Sequence, residues 1–198
     1  MLTGALSFLI QTLGNLLAIA FLLRFVMQML RVPFSNPFSQ FVVAVTDFAV
    51  RPARRFIPGW GGMDWASLTL AWLVVFVITV SLRWLGGFPF ALVGLGVWPV
   101  LAGLALVELV KLAIYLLMGL VLIRAILSWV NPYSPLAPVI YPLTEPLLRP
   151  LRQVLPDVGG VDLSPLVLLL IAQLIIMVPV TLIEGALRSL YSLPPPLY

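Results

Sequence analysis

Four apolar stretches, each long enough to cross a bilayer as a helix, constrain this chain more than any other feature. Ala5–Leu30 is interrupted mainly by Gln11, Asn15, Arg24 and Gln28. Ala66–Leu85 has Ser, Thr and Arg83 as its polar content, Val100–Val130 holds Glu108, Lys111 and Arg124, and Leu163–Leu187 holds Gln173, Pro179 and Glu184. Crossing ~30 Å of hydrocarbon takes about 20 mostly apolar residues, and each stretch reaches that length. The expected fold is all-α and integral to the membrane, with four transmembrane helices. Charged residues make up only 9% of the 198, too few to clothe a water-soluble fold of this size. The first stretch has no basic segment before it and is too long for a cleaved signal, so it is expected as a retained helix. Phe88–Pro99 is apolar but broken by Pro89, Gly94 and Gly96, which suits a loop or re-entrant segment better than a fifth crossing.

Within this frame the chain repeats itself. Sliding Pro37–Asp64 by 98 residues onto Pro135–Asp162 makes nine of 28 positions identical: Pro37/Pro135, Thr46/Thr144, Arg51/Arg149, Pro52/Pro150, Arg54/Arg152, Pro58/Pro156, Gly61/Gly159, Gly62/Gly160 and Asp64/Asp162. Asp47 opposite Glu145 is a conservative match, and upstream Arg24 meets Arg124 at a shift of 100. The matches are polar residues and turn formers, which apolar composition alone does not produce. The chain is thus read as repeat 1 (1–87, spans 5–30 and 66–85 around connector 31–65), an apolar Gly/Pro-rich segment (88–99), repeat 2 (100–192, spans 100–130 and 163–187 around connector 131–162) and a Pro-rich tail (193–198). Eight of the 11 basic residues lie on or beside the two connectors: Arg24, Arg31, Arg51, Arg54, Arg55, Arg124, Arg149 and Arg152. Basic loops stay cytoplasmic, so both connectors are expected inside and both termini outside. The two helix–connector–helix repeats then run parallel.

The connectors carry most of the polar chemistry. Asn36–Pro37 is a good helix start, and Phe38, Phe41, Val42, Val45, Phe48 and Ala49 follow at helical spacing. Asp47 and Arg51 are four apart, as are Glu145 and Arg149, the spacing of a helical ion pair. The second connector holds Pro135, Pro138, Pro142, Pro146 and Pro150, so its helix is expected to be shorter or broken. One reading lays these segments in the interface with their arginines on anionic headgroups; the other makes them connectors that simply pack on the bundle. Each connector ends in Gly-Gly-x-Asp, where Gly62 and Gly160 permit a tight turn. Asp64 and Asp162 can then cap the next helix. Arg24 and Arg124 are costly in the membrane unless paired, which leads to the expectation that Arg24 pairs with Asp64 and Arg124 with Asp162.

Glu108, Lys111 and Glu184 have no counterpart in repeat 1, where Phe8 and Gln11 stand opposite the first two. Glu108 and Lys111 share a helix face, and Lys111 is placed to reach Glu184. Such groups are functional candidates by default, or an internal ion pair. The chain has no Cys and no His. That excludes disulfides, thiolate or imidazole catalysis and the usual zinc and haem ligand sets. No catalytic, cofactor or metal residue is assigned, no enzyme activity is expected, and the net charge of +4 is read as a topology signal, with no nucleic-acid partner. Gly14-x-x-x-Ala18 is a weak small-residue motif.

Arg124…Ser128-Trp129…Asn131-Pro132, Glu145-Pro146-x-x-Arg149-Pro150-x-Arg152, and Pro156…Gly160-x-Asp162-x-Ser164-Pro165 resemble the YggT family, whose bacterial members carry two copies of this module. Repeat 1 departs from the pattern, with Trp65-Ala66-Ser67 after its Asp. The resemblance implies a multi-pass bacterial inner-membrane protein with no assigned enzyme activity. Relatives are linked to osmotic-stress tolerance, ion uptake, cell division and, in plastids, cytochrome assembly and nucleoid organisation. The expected function is that of a scaffold, assembly or osmotic-stress-tolerance factor acting through its basic connectors. The alternative is a component of a channel or transporter for small ions, potassium among them. The expected partners are anionic headgroups, further copies of the chain and other membrane proteins.

Overall fold

A computed structural model describes residues 2–131, 133–155 and 162–190. Gly160 and the Pro-rich tail lie outside the described residues. The chain is helical throughout, with no strand among the described residues. It forms α1 (Leu2–Met29), α2 (Pro37–Ala53), α3 (Trp65–Leu85), α4 (Phe90–Val93), α5 (Val97–Val130), α6 (Ala137–Val154) and α7 (Ser164–Ile175). A π-helical turn (Ile176–Val180) then leads into α8 (Thr181–Ser189). α1, α3, α5 and the α7–α8 run are the four helices long and apolar enough to cross a membrane. Phe90–Val93 makes only a four-residue helix before the chain turns into α5.

Lipid is as apolar as leucine, so small residues that allow close backbone approach are what hold helices together in a membrane. The central cluster follows that rule: Ala18 of α1, Ala66 and Ala71 of α3 and Ala105 of α5 are all fully buried in it. Gly14, one turn before Ala18, lies against Ile78 of α3, so closely that a methyl group there would fall 2.5 Å from its Cδ1. The Gly14-x-x-x-Ala18 motif therefore marks the α1–α3 contact. A second cluster joins Leu23 and Met27 of α1 and Val42 of α2 to Leu120 of α5 and to Val139, Ile140 and Leu143 of α6. Asn36 donates to the Pro135 carbonyl across the same seam at 2.6 Å.

The connectors become α2 and α6. Asn36 caps α2, its side chain accepting from the Phe38 N–H. The expectation of a shortened second connector helix is overturned: α6 runs 18 residues against 17 for α2, straight through Pro142, Pro146 and Pro150. The reason is spacing. Prolines four apart fall on one helix face, so the carbonyls they leave without a donor also lie on one face. Pro138, Pro146 and Pro150 are exposed and Pro142 is half-buried, so solvent or headgroups can satisfy those carbonyls. The opposite face keeps Val139, Ile140, Leu143 and Leu148 buried.

Candidate functional site

The charged residues segregate into two layers. The first lies where the connector helices meet the ends of the spans, and it is built twice. In repeat 1, Arg24 is almost fully buried. Its Nη1 donates to Thr46 Oγ1 and Asp47 Oδ1, both at 2.8 Å. Thr46, fully buried, donates its own hydroxyl hydrogen bond to the Val42 carbonyl, so one oxygen both donates and accepts. Arg24 Nε also lies 3.6 Å from Asp64 Oδ2. The closer partner of Asp64 is Arg54, whose Nη2 and Nε reach the two carboxylate oxygens at 2.6 and 3.3 Å. Ser67 Oγ donates to the same carboxylate at 2.7 Å, and Gln28 Oε1 accepts from Arg54 at 3.1 Å. Arg51 pairs with Asp47 at 2.8 Å, four residues apart as its spacing implies.

Repeat 2 reuses the parts. Arg124 Nη1 donates to Thr144 Oγ1 at 2.8 Å and Nη2 to Glu145 Oε2 at 2.6 Å. Thr144 donates to the Ile140 carbonyl, and the Tyr141 ring lies 4.9 Å from the guanidinium carbon, within cation–π range. The expected Arg124–Asp162 pair is replaced. Glu145, one methylene longer than Asp47, takes Arg124, and Asp162 is held by Arg152 at 2.7 Å. The Glu145–Arg149 pair is also absent among the described residues; Arg152 sits 3.4 Å from Glu145 instead, and Arg149 is exposed.

The two acids before the spans differ in the same way. Asp162 accepts from the Ser164 backbone N–H at 2.9 Å, the capping role expected of it. Asp64, the residue just before α3, is held chiefly by the side chains of Arg54 and Ser67. Gly61 and Gly62 both adopt positive φ, 64° and 78°, as a tight turn before Asp64 requires. Asn131 ends α5, its N–H donating to the Leu127 carbonyl, and stands exposed.

These contacts set the titration of the acids. The Arg24 hydrogen bond holds Asp47 below the usual carboxylate range, with Arg51 assisting. Burial pushes Asp64 up, but Arg54 and Ser67 outweigh it and bring it below the usual range. Arg124 lowers Glu145. Burial pushes Asp162 up, and Ser164 with Arg152 more than offsets it. Asp64 in turn raises Arg54.

The second layer lies toward the far ends of α3 and α8 and meets α5 near its middle. Lys111 of α5 bridges Glu108, at 2.9 Å, and Glu184 of α8, at 2.7 Å, and Arg188 completes the chain by pairing with Glu184. Arg83 of α3 donates to the Thr79 carbonyl at 3.1 Å. Arg83 stands 19 residues beyond Asp64 on one helix, about 28 Å at 1.5 Å per residue. No group of acidic residues among those described could hold a metal ion. Thr46, Thr144, Gln28 and Ser67 were not singled out as site residues from sequence; the two threonines were visible only as members of the nine repeat identities.

The fold and these two layers define a multi-pass α-helical membrane protein whose charged groups are gathered in two layers of an apolar bundle. The chain belongs to the CCB3/YggT family, whose model matches residues 3–85 and 103–183. Relatives include an uncharacterized protein of Pseudomonas aeruginosa, 40% identical over 88% of this chain and 87% of its own. The uncharacterized protein YggT of Escherichia coli is 39% identical over 87% of each chain. A protein of Vibrio alginolyticus is 40% identical over 83% of this chain and 88% of its own. No solved structure matches the chain.

Proposed function

We propose that this protein is a non-catalytic organiser of the bacterial inner membrane, acting through its two connectors on the cytoplasmic face. The observation that carries this reading is the division of labour among the arginines. Arg24 and Arg124 are buried and neutralised by Asp47 and Glu145, so they lock each connector helix to its span. Arg31, Arg55 and Arg149 are exposed and make no salt bridge among the described residues. A rigid mount thus carries cations placed for anionic headgroups, at about 1 kcal/mol per basic residue near the surface. Phe56, Trp60 and Trp129, all largely exposed, suit the same interfacial depth. Osmotic-stress tolerance is the physiological readout implied by the family resemblance. Ion passage is the weaker reading, because the carboxylates of the opposite layer are engaged by Lys111 and Arg188 rather than free to line a path.

The test is reconstitution into liposomes containing a self-quenching phosphatidylglycerol. The protein is expected to deepen the quenching, and Arg31→Gln/Arg55→Gln/Arg149→Gln to lose most of that effect. Potassium flux is expected to equal that of empty liposomes. Quenching indifferent to the triple substitution, or flux that Glu108→Ala abolishes, would overturn the reading.

A further inference from the structure

Lipid covers any apolar face in a bilayer, so exposure of leucines is by itself uninformative. The repeat supplies a better guide, since each position has a counterpart whose surroundings can be compared. Positions 42 and 140 are buried in both repeats, where both pack into the cluster that joins them. Positions 41 and 139 differ: Val139 is fully buried, whereas Phe41 is 65% exposed. Leu143 is buried and Val45 exposed. On the receiving side the order reverses, with Leu23 buried and Ile123 exposed. These positions form the seam where α6 of repeat 2 lies on α1 of repeat 1.

The spans show the same pattern. Leu109, Ala113 and Leu116 of α5 pack into the central cluster with α3; their counterparts Leu9, Leu13 and Leu16 of α1 are all exposed. Trp72 and Phe76 of α3 pack there too, and Trp72 donates to the Ala102 carbonyl of α5 at 3.3 Å; their counterparts Leu170 and Leu174 of α7 are exposed. Gln173 is exposed on that same face. It stands nine residues past the start of α7 at Ser164, about 14 Å into the bilayer, where an amide facing lipid is costly and one facing a second protein surface is a known adhesive. Most of the residues that join repeat 1 to repeat 2 therefore have exposed counterparts at the far side of the partner repeat.

We propose that the protein self-associates head to tail, repeat 1 of one copy docking on repeat 2 of the next through the contact that already joins the two repeats within a chain. Leu9, Leu13, Phe41 and Val45 form one surface; Ile123, Leu170, Gln173 and Leu174 form the other. The contact is heterologous, so each copy keeps one of each surface to offer until a ring closes. This association does not depend on the headgroup reading above, and liposome quenching neither supports nor weakens it.

The absence of cysteine makes thiol cross-linking clean. Full-length chains carrying Phe41→Cys and Ile123→Cys under different tags are co-expressed and treated in native membranes with a short bifunctional thiol reagent. A covalent dimer carrying both tags is expected, at least five-fold more abundant than from either variant alone. Leu23→Cys/Val139→Cys in one chain is the internal control, expected to link without forming a dimer. Failure of the mixed pair while the control links overturns the proposal, as does equal linking by Phe41→Cys alone. Single-molecule photobleaching of the unmutated chain at low density in liposomes gives an independent reading. Two or more copies per spot are expected, and uniform single copies overturn it.

Discussion

The two connector clusters share five matched charges yet wire them differently. In repeat 1 the arginine of the span, Arg24, lies between both connector acids, 2.8 Å from Asp47 and 3.6 Å from Asp64. In repeat 2 the bridging arginine is the connector's own, Arg152, which touches Glu145 and Asp162, while Arg124 reaches Glu145 alone. The acids follow suit. The Asp64 side chain is 1% exposed and that of Asp162 34%. The same residue types can thus form a buried network or a half-open one, and side-chain reach plus burial decide which. The energetic consequence is large, because removing one partner of a buried pair strands the other charge, whereas an exposed pair contributes little.

The sharpest way to break this comparison is to remove the two aspartates in turn. Asp64→Ala is expected to cost about 3 kcal/mol of stability, at the low end for a buried ion pair, and Asp162→Ala about 1 kcal/mol, discounted for exposure. Reversible unfolding in mixed micelles measures both. Equal losses would mean the wiring difference has no energetic weight.

Acid should act through the same groups. Asp47, Asp64, Glu145 and Asp162 all have pKa values lowered by folding. Their contribution is therefore fully present above the ordinary carboxylate range of about 4 and is lost as pH falls through the depressed folded values. Stability is expected to be flat from neutrality to about pH 5 and to decline below about pH 4. Asp64→Asn should remove more of that decline than Asp162→Asn.

Arginine-to-lysine exchanges come next. Lysine is a point charge and cannot span two acids with a planar fork. Arg24→Lys is expected to cost about 2 kcal/mol, the scale of a charge-assisted hydrogen bond, and Arg124→Lys about 1, since only one acid loses its partner.

The smallest difference should come from the threonines. Thr46 and Thr144 are both fully buried and make the same bonds, so Thr46→Val and Thr144→Val should each cost about 1 kcal/mol, equal within error. A marked inequality would show that the arginines are not held alike.

Much of the architecture could be read from residues that admit one physical solution. Apolar runs of span length become spans, and Lys111 and Glu184, which have no charged counterpart in repeat 1, found each other as expected. Asn36–Pro37 caps α2 as written. What sequence could not resolve depended on reach and register. Arg124 had two acids to choose from, and it took Glu145, as Arg24 takes Asp47 at the matching position. The four-residue proline spacing of α6 reads as a broken helix until the free carbonyls are seen to share an outward face. Thr46 and Thr144 were plain as identities, but nothing local says a threonine accepts from an arginine 22 or 20 residues earlier. The π-helical turn at Ile176–Val180 was flagged only by Pro179, which cannot donate to the turn before it.

The spacing between the two charged layers makes the molecule a gauge of its surroundings. About 28 Å separates Asp64 from Arg83 along α3, close to the hydrocarbon thickness of an ordinary bilayer. A thicker membrane would drag one layer beneath its headgroups, and a thinner one would leave apolar rings standing in water. The acids at both ends are tied into networks, so none of them can adjust by swinging alone. The remaining options are to tilt, to deform the surrounding lipid, or to settle where the thickness already fits.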